Sequence, residues 1–312
     1  LPSVGRTHGQ HASIISFGLK FAVWANELSY HIDRIEEGKK RFLLCKTLGV
    51  VGTGSLMGSK ALDVQNDVSK SLGLWSIEAA TQVIPRERLA EVQFIISLIG
   101  CTLDKMATEI RNLQRTEIGE VEEPFKKGQL GSSAVPVKRN PIKSERISSL
   151  ARILRSFSSI SQENISLWHE RDLSNSANER FTIPMAVILL DEMIGSMIKV
   201  IEGLNVNRQK ILENINKTRG RIFAEFILEA LVKKGIPRMS AYDKIQRSAF
   251  ETLASDKDFK EVVMQDPFIG ANLDRKELRI IFDPNSHLAA STKIINNVIK
   301  KAEQVRKNYK VR

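Results

Sequence analysis

Cysteine is scarce in this chain, with only Cys45 and Cys101 among 312 residues. Two thiols exclude a disulfide framework, and both sit in apolar helical text that reads as buried small hydrophobes. A cytosolic, cytoplasmic protein fits that usage. Aromatic residues make up 6% and do not interleave with Lys and Arg, so an RNA-binding signature is missing. No uninterrupted apolar run reaches the roughly 18 residues of a membrane span, so no membrane partner is expected. No charged-then-apolar leader opens the chain. It begins Leu1-Pro2-Ser3 without an initiator Met and is expected to be a piece of a longer protein, starting mid-domain.

Acidic residues are in deficit, 36 against 47 basic ones, for a net charge of +11. The basic residues are dispersed among acids except in the tail from Lys300 to Arg312. No specific nucleic-acid partner is expected, and the excess suits an anionic small substrate equally well. Metal and cofactor signatures are also missing. His169-Glu170 has no second histidine at zinc spacing, and Gly52-Thr53-Gly54 lacks the G-x-G-x-x-G spacing and follows a helix. No metal and no cofactor are expected.

What is present is helical periodicity. Over 86–115, Leu89, Val92, Ile96, Ile99, Leu103, Met106, Ile110 and Leu113 recur at three- and four-residue steps. At about 1.5 Å per residue that helix runs roughly 40 Å, a length typical of bundles. Similar stripes predict helices over 13–44, 143–167 and 183–204, the last with Pro184 in its first turn and Ile188, Ile194, Ile198 and Ile201 along it. No strand is expected. From about 219 the helices shorten and are punctuated by Gly235-Ile236-Pro237, Asp266-Pro267 and Asp283-Pro284. The fold class is therefore all-α: a long-helix bundle domain over 1–222 and a small C-terminal helical domain over 223–312.

Four polar clusters interrupt the helices. Gly5-Arg6-Thr7-His8-Gly9-Gln10-His11 is expected to set His8 at a helix N-terminus, where an anion is welcome. Thr81-Gln82-Val83-Ile84-Pro85-Arg86 precedes the longest helix, and Gln82 can bond an amide or a carboxylate. Gly131-Ser132-Ser133-Ala134-Val135-Pro136-Val137-Lys138-Arg139-Asn140-Pro141 packs hydroxyls, a cation and an amide between helix breakers. It does not match the G-x-S-x-G nucleophile elbow. Glu145 and Arg146 follow in the first turn of the next helix, where a glutamate suits the helix dipole. Trp168 to Arg180 supplies Arg171, Ser176 and Arg180, two guanidinium forks and a hydroxyl suited to a phosphate. Each cluster alone also reads as a cap, a turn or a connection, and for the first two that is the favoured reading.

Together they resemble one family, the adenylosuccinate lyases of the fumarase/aspartase superfamily. The superfamily signature looks like G-S-S-x-M-P-x-K-x-N-P, and residues 131–141 match every fixed position except Val135. Val137 also stands where a larger polar residue is common. The RTHGQ, TQVIPRER, EVEEPF, KRNPxxSER and LWHERDLSNSANER segments are similar in order and context over nearly the whole chain. The resemblance implies a β-elimination in purine nucleotide synthesis. Fumarate leaves adenylosuccinate to give AMP, and leaves the succinylated aminoimidazole carboxamide ribotide likewise. By similarity Ser132 is the base, His8 the acid, Lys138 a stabiliser of the carboxylate charge, and Glu145 an orienting partner for a histidine. Thr7, Gln82, Ser133, Asn140 and Arg146 would hold the succinyl part, and Arg171, Ser176 and Arg180 the phosphate. The resemblance further implies a mobile 131–141 loop, a homotetramer with active sites shared between subunits, and an N-terminal domain, carrying a second histidine, that this chain lacks. A carboxymuconate cycloisomerase of the same superfamily shares the loop signature and is the alternative reading.

Overall fold

Internal contacts divide the chain into two units, one of residues 1–26, 113–122 and 206–312, the other of 27–112 and 123–205. The structure, a computed structural model, describes residues 1–125 and 134–309. Ser132 and Ser133 lie outside the described residues.

The first unit opens with a hairpin, β1 (Pro2–Thr7) antiparallel to β2 (Gln10–Ser16), where only helix and loop were expected. Val4 pairs with Ile14, and both are buried in a core with Ile227, Leu231, Phe259, Ile269 and Leu278. Gly5 suits the close pairing, because a Cβ there would press on the Ile15 side chain at 3.0 Å and the Ser13 carbonyl at 3.2 Å. The register slips by one residue between Gly5 and Arg6. The helical stripe expected from residue 13 is thus a strand as far as Ser16, and α1 runs only over Gly18–Phe42. Short apolar runs such as Ile14-Ile15 do not distinguish strand from helix by periodicity.

The second unit holds most of α1, α2 (Ala61–Leu72), α3 (Glu87–Leu113), α4 (Ile142–Glu163) and α5 (Ser176–Glu202). A two-residue parallel pair, β3 (Leu44–Cys45) and β4 (Trp75–Ser76), ties the ends of the α2 segment. In the first half of α3, Leu89, Val92 and Ile96 are only half-buried and Ile95 turns inward instead. The expected stripe holds over its second half, where Ile99, Leu103, Met106, Ile110 and Leu113 are buried. They share the interior with Ile147, Ala151 and Leu154 of α4 and Met193, Met197 and Val200 of α5. Gly100 lets α3 approach α4, since a Cβ there would lie 2.8 Å from Leu154 Cδ1. The first unit is completed by α6 (Arg208–Asn216), α7 (Ala224–Lys233), α8 (Arg238–Ala254), α9 (Phe259–Gln265), α10 (Pro267–Asn272), α11 (Arg275–Ile281) and α12 (Ala289–Asn308). The two cysteines are free; Cys45 is buried and Cys101 half-buried.

Helix α5 departs from expectation twice. It begins at Ser176, so Pro184 sits inside it rather than in its first turn. That position forfeits one i→i−4 hydrogen bond. Ile188, Ile194 and Ile198 are exposed, while the smaller and softer Ala186, Met193, Ser196 and Met197 are buried. A helix apolar around its whole circumference has no single inward stripe, so packing selects the face. By length and composition α5 could cross a membrane, and only 28% of its most apolar stretch is buried.

Candidate active site

His8 stands at the hairpin tip, not at a helix N-terminus, because the first helix begins only at Gly18. Thr7 pairs with Gln10, leaving His8 and Gly9 as a two-residue turn with φ of 52° and 75°. Positive φ at both central residues makes a type I′ connection, whose first position ordinarily takes Asn, Asp or Gly. A histidine held there stores backbone strain, a cost that persists mainly where function sustains it. Thr7 and His8 are exposed.

Arg6 anchors this turn from below. Its guanidinium donates to Glu120 at 2.5 and 3.3 Å, and the Glu120 carboxylate is fully buried. Asn214 Nδ2 donates to the same carboxylate and to the Ile118 carbonyl, each at 2.8 Å. His11, opposite Arg6 in the ladder, is held below the usual imidazole range by burial and then by the charges of Arg6 and Lys217.

In the second unit, two clusters far apart in sequence converge. The Gln82 N–H donates to the Glu170 carbonyl at 3.2 Å. Gln82 and Arg171 line one cavity of about 420 Å³ with Val50, Val51 and His169. Lys46 Nζ donates to the Gln82 carbonyl at 3.0 Å and to the Gly49 carbonyl, and burial lowers its pKa. Arg86 grips Glu179 with two nitrogens, one of them Nε at 2.9 Å. That fork fixes the start of α5, where Ser176 and Arg180 are one turn apart and lie on one face. Asp172 accepts from the Trp168 and Ser174 N–H groups at 2.5 and 2.7 Å, which shapes the turn before α5; the Ser174 hydroxyl, and then these N–H groups, lower its pKa.

Lys138 is exposed and Asn140 half-buried on the stretch that leads into α4. Glu145 lies exposed in the first turn of α4, as expected. Arg146 is committed elsewhere: it donates to Glu192 at 2.5 Å and Ser196 at 2.9 Å, both on α5. The carboxylate-holding part assigned to it therefore competes with an ion pair.

Sequence reasoning missed Arg86, Glu179, Arg6 and Glu120 as supports. One local signal existed for another support: Pro141 occupies the N-cap of α4 and offers no side-chain acceptor. Such a cap must come from elsewhere.

Solved enzymes have this fold. The 3-carboxy-cis,cis-muconate lactonizing enzyme of Pseudomonas putida matches with a TM-score of 0.86 at 26% identity, over 97% of this chain and 67% of that one. A fumarate lyase of Mesorhizobium sp. BNC1 matches with a TM-score of 0.86 at 28% identity, over 96% and 67%. The helical architecture and these matches define an enzyme of the fumarase/aspartase class, a lyase fold. A family model described as Lyase matches residues 1–154, and one described as Adenylosuccinate lyase C-terminus matches residues 220–298. The adenylosuccinate lyase of Pyrococcus abyssi is 40% identical over 302 residues, 97% of this chain and 67% of that protein. That of Methanocaldococcus jannaschii is 38% identical over 298 residues, 95% and 64%. The chain belongs to the adenylosuccinate lyase family. It spans about two thirds of the length of these relatives.

Proposed function

We propose that the protein carrying this chain eliminates fumarate from adenylosuccinate to leave AMP, and from the succinylated aminoimidazole carboxamide ribotide to leave the free carboxamide. Ser132, outside the described residues, removes the proton from the carbon next to a succinyl carboxylate. The C–N bond then breaks, and His8 delivers a proton to the departing nitrogen. Lys138 stabilises the charge that gathers on the carboxylate when the proton leaves. Thr7, Gln82, Ser133 and Asn140 hold the succinyl part, Arg146 lies nearby, and Glu145 orients a histidine. Arg171, Ser176 and Arg180 grip the phosphate.

The observation that carries this reading is the convergence in the second unit. Gln82, assigned to the succinyl part, and Arg171, assigned to the phosphate, line one cavity although 89 positions separate them in the sequence. An enzyme for a non-phosphorylated substrate has no need of Arg171, Ser176 and Arg180 together.

The same reading makes the protein a cytoplasmic homotetramer with active sites built from more than one copy. Support comes from α5, where Phe181, Val187, Ile188 and Ile198 stand exposed. An apolar face of that length is normally covered by a partner. The reaction is tested by following release of fumarate and AMP from adenylosuccinate. Turnover of 3-carboxymuconate without turnover of adenylosuccinate would replace this reading with the cycloisomerase one.

A further inference from the structure

We propose that Glu123 is a positioning residue that clasps the stretch carrying Lys138 and Asn140 to the strand-like segment before it. Its carboxylate accepts the Ser144 N–H at 2.7 Å and the Lys143 N–H at 3.2 Å. These are two of the N–H groups that every helix leaves without intrahelical partners at its start. Pro141, at the N-cap of α4, supplies no acceptor. The cap therefore comes from a residue 21 positions earlier than Ser144. Glu123 is only 6% exposed and Ser144 is fully buried, so water cannot replace the bond.

Two further contacts hold the same two ends together, and a third braces one of them. Lys143 Nζ reaches the Pro124 carbonyl at 3.5 Å. The Arg139 guanidinium lies 5.3 Å from the centroid of the Phe125 ring, within cation–π range. Pro124 itself is backed by Gly203, where an added Cβ would come within 2.5 Å of Pro124 Cβ. Glu123 thus has a fixed frame behind it, and α4 has its first turn tied to that frame. That turn carries Glu145, and the residues just before it include Lys138 and Asn140. A stretch anchored beside the site by the protein loses less freedom when substrate arrives.

The inference rests on the reading of Lys138 and Asn140 as active-site groups, and its test separates the two. Glu123→Gln replaces one acceptor oxygen by an NH2 that faces an N–H donor, while Glu123→Asp keeps both oxygens on a shorter arm. In the full-length protein, amide hydrogen exchange of Glu123→Gln should speed up at Lys143 and Ser144 and across 134–142, with the last two turns of α4 unchanged. Its kcat for adenylosuccinate should fall by about 10- to 100-fold, with KM within about threefold, and Glu123→Asp should recover part of the loss. Unchanged exchange at Ser144 would overturn the clasp. Faster exchange with kcat within twofold of the unaltered protein would overturn the positioning role. Lys138→Ala reports on the other reading: full turnover by that variant removes Lys138 from the site however Glu123 behaves.

Discussion

Glu120→Ala is expected to destabilise the unit that carries the Thr7–Gln10 turn by about 3 kcal/mol, the lower end of the range for breaking a buried ion pair. Glu120 is fully buried and the Arg6 side chain is 14% exposed. Removing the carboxylate leaves a guanidinium largely without water or partner. The small exposure gives it some access to solvent, which is why the lower end applies. Asn214 still reaches the Ile118 carbonyl at 2.8 Å, so its lost bond adds no more than about 1 kcal/mol. Arg6→Met with Glu120→Leu removes both charges at similar volume and should cost far less, because no unpaired charge remains. The assay is urea unfolding followed by circular dichroism, run as a double-mutant cycle of Arg6→Ala and Glu120→Ala. A coupling of about 2 kcal/mol is expected, well beyond the roughly 0.5 kcal/mol within which independent sites add. Additive single variants, or a Glu120→Ala protein as stable as the unaltered one, would refute the account of how the His8 turn is held.

Arg86→Met should raise KM for adenylosuccinate roughly tenfold while kcat moves little, since it frees the start of α5 rather than the reacting atoms; steady-state kinetics checks this. Phe181→Glu with Ile188→Glu should lower the oligomeric mass seen by light scattering, while the far-UV spectrum is kept. His31 is buried, donates from Nε2 to Thr102 at 2.9 Å and accepts at Nδ1 from Arg34 at 3.1 Å. Burial, then the Arg34 charge, lowers its pKa from 6.5. The unfolded chain therefore takes up this proton first, so the stability contribution is complete above pH 6.5 and is lost as pH falls below it. His31→Gln should flatten that slope below about pH 6.5 in thermal melts.

The long helices were legible because Leu, Ile and Met recur on one face of α3 and α4 over several turns. The hairpin was not, for two physical reasons. Its turn hides a histidine where Asn or Gly ordinarily marks a type I′ connection, and its second strand, with Ile14-Ile15, is separated from α1 by Phe17 alone. The four polar clusters were each legible as text, and the family resemblance grouped them, but the contacts that hold them in place were not legible. Gln82 meets Glu170 through backbone groups, and Arg86 meets Glu179 across 93 positions; no local pattern encodes either. Helix α5 misled for a different reason. Its sequence is apolar on every side, so only packing shows that Met193 and Met197 face inward and Ile188 and Ile198 outward.

The central claim is that the 131–141 loop supplies the base and the hairpin tip the acid of one elimination. Its most direct test is adenylosuccinate cleavage by the full-length protein with Ser132→Ala and, separately, His8→Ala, each checked for folding by circular dichroism. Each variant should lose about 10²- to 10⁴-fold in kcat, the range for a positioned acid or base, with substrate still bound. Near-normal turnover by the Ser132→Ala protein would contradict the account.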